Sequence, residues 1–197
     1  MCAAIDRTQC LGERKELICF GAHALDNGAA TAVIARNGAE IATLSAKAQR
    51  HGCHLFFGAC VDAGRNSARE RALILIEPTG RLSMASREAV KTTSAIGAIA
   101  LVPSARLYAS HERAIISGAD IRIFAPVRGA ELNDWAQDGA MRGNSIKVTT
   151  VNDTVAKSLI LGTVISGPVG EIRAAVSSAW EQVVAAELSR PEFTFGA

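Results

Sequence analysis

The tightest grouping of side chains able to do chemistry is His51, Cys53, His54 and Cys60. Imidazole and thiolate both bind zinc, but a tetrahedral site needs its ligands to converge on one point. Residues 53 and 54 open an apolar run that reads as a strand, where neighbouring side chains leave on opposite faces. The four therefore do not converge, and no metal is expected. Cys53 and Cys60 read instead as small buried residues, and the histidines as groups near a helix end that tolerates positive charge. Cys19 and His23 invite a nucleophile and base, yet four residues along a strand separate them by about 13 Å, beyond hydrogen-bond reach. Ser104, Ser110 and His111 invite a hydrolase, but no Gly-x-Ser-x-Gly elbow is present, and they read as a helix cap and a solvated helix surface. Neither G-x-G-x-x-G nor G-x-x-x-x-G-K-[ST] occurs, so nucleotide binding has no support and no cofactor is expected.

Composition narrows the classes further. The 197 residues carry 21 Lys and Arg against 19 Asp and Glu, a net charge of +2 that supplies no strong field for nucleic-acid phosphates. Aromatics are only 5% of the chain, too few for a base-stacking platform, while 49% hydrophobic residues argue against disorder. Roughly 70% of the unfolded surface can be buried at this size without metals or staples. The five cysteines, Cys2, Cys10, Cys19, Cys53 and Cys60, are odd in number and contain no C-x-x-C, which indicates reduced thiols. No run reaches 18 apolar residues and the first residues lack signal-peptide order, so a cytoplasmic location is expected, with no membrane and no nucleic-acid partner.

The elements that would position these residues follow from pattern. Residues 1–15 have no clear period and read as a loose arm. Leu17 to Leu25 is apolar enough for a buried strand, closed by Asp26-Asn27-Gly28. Ala29 to Gly52 reads either as a hairpin turning at Asn37-Gly38 or as helical pieces; the spacing of Ile41, Leu44 and Ala48 favours a helix from Ala39 with Gly52 as its stop. His54 to Val61 and Arg71 to Ile76 read as strands, the second ending in Glu77-Pro78-Thr79-Gly80. Arg81 to Lys91 reads as a short helix, Ala95 to Val102 as a strand, the segment after Ser104 as a helix ending at Gly118, and Ile121 to Ala125 as a strand. The pattern loosens over residues 127–157, with one strand at Ile146 to Val151; a connection of that length is usually functional or mobile. Ser158 to Ser166 then reads as a strand and Glu171 to Leu188 as a helix barred from continuing by Pro191.

These elements run strand, helix, strand, strand, helix, and then repeat. Leu73 to Gly80 echoes Thr163 to Gly170, both apolar strands turning through Pro-x-Gly. The expected fold class is therefore α+β: two ferredoxin-like, split βαβ repeats in tandem, each a sheet with helices on one face. The expected domains are an arm at 1–15, a first repeat at 16–92, and a second at 93–197 carrying the insertion 127–157.

Three segments resemble a known family. Ala95-Ile-Gly-Ala-Ile-Ala-Leu-Val-Pro-Ser104, then Ala114-Ile-Ile-Ser-Gly-Ala119 and Asp120-Ile-Arg-Ile-Phe124, look like the start of a bacterial microcompartment shell domain. Ile165 to Val176 is similar to the segment joining that domain's third strand to its second helix, and Leu73 to Ser94 resembles the start of its circularly permuted members. The resemblance implies a non-catalytic structural protein: a tandem-domain homotrimer forming a pseudohexamer that tiles into shell facets with other shell proteins and passes small metabolites through a pore. It implies that the 127–157 insertion lies near the axis, where Arg128, Glu131, Asp134, Asp138, Arg142 and Lys147 would set permeability by charge and size. Ser117 stands where the family usually has a lysine at hexagon edges. Trp135 and Met141 read equally as anchors for a partner or as pins holding the loop. The alternative is a small oligomeric α+β enzyme with an interface active site and the 127–157 loop as lid; a ferredoxin-like domain closing on an effector is a third reading.

Overall fold

The helical stripe of Ile41, Leu44 and Ala48 does form a helix. In the computed structural model α2 spans Ala39–His51, buries those three residues, and ends at Gly52 with φ of 59°, where the left-handed backbone suits glycine. The Cys53 N–H reaches back to the Ala48 carbonyl and that of Gly52 to Gln49, satisfying the last turn. The structure describes residues 1–10, 16–20, 25, 33–35, 37–62, 69–103, 119–124, 144–147, 164–166 and 172–175. The first of these differ from expectation: α1 spans Cys2–Cys10, so part of the loose arm is a helix that buries Ile5 and Thr8.

Two apolar runs build the first sheet. β1 (Leu17–Cys19) pairs in parallel with β2 (His54–Asp62), which pairs antiparallel with β3 (Arg69–Ile76) and through it with β4 (Leu82–Ala85). β2 is buried on both faces, which explains why its sequence is continuously apolar rather than alternating. One face, with Leu55, Phe57, Ala59, Val61, Ala72, Ile74 and Ile76, packs against Ile41, Leu44 and Ala48 of α2 and Ile5 of α1. The second sheet comprises β5 (Val90–Ser94), β6 (Gly97–Val102), β7 (Ile121–Phe124), β8 (Asn144–Lys147), β9 (Val164–Ser166) and β10 (Ile172–Ala175). β6, β7 and β8 are parallel neighbours and the other pairs are antiparallel. The opposite face of the first sheet, with Phe56, Leu73 and Leu75, packs on Ile99, Leu101, Ile121 and Ile123 of the second. Each such side chain contributes about 1.5–3 kcal/mol on burial, so this seam fixes the two sheets face to face.

The tandem ferredoxin-like repeat is thus corrected. A split βαβ places a later strand between two earlier ones, whereas among the described residues each sheet follows chain order, β1 to β4 and β5 to β10. The face of the first sheet away from α2 is covered by the second sheet. Two local readings fall with it. Arg81 to Lys91 is not a helix: after Gly80, at φ of 84°, the chain turns back so that Leu82 pairs with Ile76 and Met84 with Ile74. Ile172–Ala175 likewise pairs with β9 and is a strand where a helix was expected. Of the two Pro-x-Gly segments, Glu77 to Gly80 turns β3 into β4, and residues 167–170 lie outside the described residues. Even the Ala95-Ile-Gly97 motif has a local cause, since Gly97 has φ of 116° and the Asp120 carboxylate lies against it.

Candidate functional site

Strand direction locates the two ends of the sandwich. Glu77, just beyond β3, and Arg81, just before β4, reach across to Thr92 and Thr93 of β5. Thr92 and Thr93 pair with Ile99 and Ala98, near the start of β6. Ile76 pairs with Leu55, near the start of β2. The starts of β2 and β6 therefore share one end, and with them those of their parallel partners β1, β7 and β8. The C-terminal ends of five strands converge at the opposite end, at Cys19, Asp62, Val102, Phe124 and Lys147. In sheets with parallel strands, ligands bind in the crevice beyond such ends, so this mouth is the candidate active site.

At the mouth, register decides which side chains face the seam. Cys60 pairs with Arg71 and Asp62 with Arg69, and strand alternation puts Cys60 on the same face as Phe56. Cys60 is 4% exposed. Cys19 also packs toward the seam, and burial pushes its thiol up to about 12, which keeps it protonated. Glu70 and the Arg87 guanidinium form an ion pair of 2.7 Å at this end of β3.

The starting end is a polar cluster that the sequence reading did not assemble. The Glu77 carboxylate, 6% exposed, accepts from Arg81 Nε at 2.8 Å and Nη2 at 2.5 Å, and from Thr92 Oγ1 at 3.3 Å. Arg81 Nη2 also donates to Thr92 Oγ1 at 3.1 Å and to the Thr93 carbonyl. The Glu77 hydrogen bond holds the Arg81 guanidinium above its ordinary range. His54 lies one step beyond the Leu55–Ile76 pair and is 2% exposed. Its Nδ1 lies 3.1 Å from the Glu16 carbonyl and its Nε2 has no partner among the described residues. Burial lowers its pKa, opposed by the Glu16 backbone bond and by the charges of Glu77 and Glu16. A sequence signal existed, Glu77 and Arg81 bracketing Pro-Thr-Gly, but nothing local joined them to His54 or Thr92.

The other candidates fall apart in space. His51 Nε2 lies 2.7 Å from Asp6 Oδ1, and Lys47 Nζ is 2.6 Å from Oδ2, so both tie α2 to α1. Cys53 is buried in the core beneath α2, on the other side of the sheet from His54. Among the described residues no three of His, Cys, Asp or Glu group as metal ligands. Of the pore candidates, Lys147 ends β8, while Arg128, Glu131, Asp134, Asp138 and Arg142 lie outside the described residues, as do His23, Ser104, Ser110, His111, Ser117, Trp135 and Met141. No described helix is long and apolar enough to cross a membrane.

Two sheets packed face to face with helices on the outside of the first define the class, and solved structures share it. No protein-family model and no curated protein match the sequence. A carbon-nitrogen hydrolase from Helicobacter pylori matches with a TM-score of 0.70 at 11% identity, over 95% of this chain and 81% of that one. A nitrilase-superfamily protein of Saccharomyces cerevisiae matches at 0.69 and 9%, over 93% and 80%. An amidase from Nesterenkonia, solved with acrylamide, matches at 0.62 and 12%, over 89% and 78%. The fold is that of the carbon-nitrogen hydrolases. These matches overturn the resemblance to a microcompartment shell domain: the structural shell role, the pseudohexamer, the facets and the pore lose their basis. The expectation of a non-catalytic protein rested on that resemblance and falls with it; the solved structures named here include a carbon-nitrogen hydrolase and an amidase.

Proposed function

We propose that this protein is an enzyme that hydrolyses a carbon–nitrogen bond of a small amide-like substrate at the mouth formed by the C-terminal ends of β1, β2, β6, β7 and β8. The fold match over more than nine-tenths of the chain carries this reading. In the amidase from Nesterenkonia a glutamate and a cysteine were replaced together to hold acrylamide, and fluoroacetamide leaves its acetamide moiety on the active-site cysteine. Those two residues stand roughly a hundred positions apart, whereas no cysteine of this chain lies beyond Cys60. Cys2 and Cys10 lie on α1 and Cys53 lies under α2. Two thiols stand at the mouth ends of strands and face the seam, Cys19 of β1 and Cys60 of β2, and Cys60, beside Arg71, is the one we assign as nucleophile.

In this route the thiolate adds to the carbonyl carbon, the carbon–nitrogen bond breaks, and the amine leaves with a proton. Water then cleaves the thioester to the carboxylate and restores the thiol. The test is ammonia release from short aliphatic amides by the wild type and by C60S and C19S, with mass mapping after fluoroacetamide. Turnover lost in C60S but kept in C19S, with the adduct on Cys60, supports the assignment. Turnover kept in both, with no adduct, assigns the attack to water. No turnover of any amide by the wild type removes the reading.

A further inference from the structure

The starting end of the sandwich holds a buried imidazole whose state is fixed by its neighbours. A carbonyl oxygen only accepts, so the contact to Glu16 assigns the proton of neutral His54 to Nδ1. Nε2 is then a bare lone pair, buried and without a donor among the described residues. One step along the ladder is Glu77, whose carboxylate is engaged by Arg81 and Thr92. Those bonds tie the β3–β4 connection of the first sheet to β5 of the second. The charged groups at this end are Glu16 before β1, Glu77 and Arg81 on the connection, and Asp120 before β7, whose carboxylate is held by the Ala98 N–H. Thr92 and Thr93 are what β5 presents, and Lys91 is exposed.

We propose that His54 and Glu77 form a pH-operated clasp between the two sheets, closed while His54 is neutral and loosened when Nε2 takes up a proton. The proton comes from solvent and turns Nε2 from acceptor to donor. Glu77 is the carboxylate across the ladder able to receive it, and because Arg81 and Thr92 both bond its one oxygen Oε1, turning the carboxylate toward His54 moves the atom they share. The direction of the linkage follows. Folding disfavours charged His54, so its contribution is complete above the unfolded value near 6.5 and is lost as pH falls through the lower folded value. The clasp lies at the end opposite the proposed active mouth, and its failure or success is read without any substrate.

Two measurements test it. Nitrogen-15 NMR of the histidine rings should show Nε2 of His54 deprotonated at about pH 7.5 and titrating below the ordinary histidine range. Hydrogen exchange, corrected for its intrinsic pH dependence, should rise several-fold around residues 77–81 and 92–94 between about pH 7.5 and about pH 5, while the β2–β3 ladder stays protected. H54N keeps a donor for the Glu16 carbonyl but does not titrate, and should abolish the rise. A proton found on Nε2, or an equal rise in H54N, overturns the proposal, and the NMR arm stands on the wild type should H54N fail to fold.

Discussion

Replacing Gly97 by alanine puts two costs at one point. The backbone there has φ of 116°, which L residues rarely adopt, and strain of this kind costs about 1–3 kcal/mol. A Cβ would also stand 2.6 Å from Asp120 Oδ2 and 3.1 Å from its Cβ and Cγ. The carboxylate must swing away, breaking its 2.7 Å bond from the Ala98 N–H, and a hydrogen bond to a charged group is worth about 1.5–3 kcal/mol. The sum is about 2.5–6 kcal/mol, or about 5–20 °C in Tm for a chain of this length. Urea unfolding followed by circular dichroism reads it directly. D120A alone loses only the bond, and in the double variant the bond is lost once rather than twice. The singles should therefore overshoot the double by about 1.5–3 kcal/mol, the worth of that bond. A G97A protein within about 0.5 kcal/mol of wild type, or two strictly additive variants, would refute this account of the β6 entry.

Leu101 is fully buried in the seam between the sheets; L101A should lose about 2–5 kcal/mol in denaturant unfolding. D6N removes the charge that Lys47 and His51 share and turns one of its two acceptor oxygens into a donor. Hydrogen bonds from Lys47 and then His51 hold the Asp6 carboxyl below its ordinary value of 3.8. The wild-type advantage over D6N is accordingly present above about pH 4 and fades as pH falls through the lowered value, read as faster proteolysis near residue 10 in the variant at neutral pH.

What sequence made legible was local and strongly patterned. The α2 stripe with its Gly52 stop and the apolar runs of β2, β3, β6 and β7 are written in residues that decide their own conformation. Arg81 to Lys91 is different: Leu82, Met84 and Ala85 suit a helix, and only pairing with the buried β3 selects a strand. Element order alone could not say whether two sheets lie side by side or face to face, because Phe56 and Leu101 look the same in either arrangement. The microcompartment resemblance rested on Ala-Ile-Gly, apolar strands and alanine-rich turns. Those features answer a backbone need at Gly97 and a packing need at the seam, and unrelated folds meet both in the same way. The His54, Glu77, Arg81 and Thr92 cluster was illegible because two different strands and a hairpin connection bring it together across 38 positions of sequence.

Among the described residues, the β1 border of the first sheet is built from short pieces. Among the described residues, β1 covers three positions beside β2, the Phe20 N–H bonds the Phe56 carbonyl, and Ile34 makes a parallel bridge to Val61. An uninterrupted row of unpaired amides and carbonyls along such a border would template a neighbouring chain and seed aggregation. The chain instead gives β2 to the interior, flanked by β1 and β3, so its apolar ladder is not the one a stranger's strand would meet.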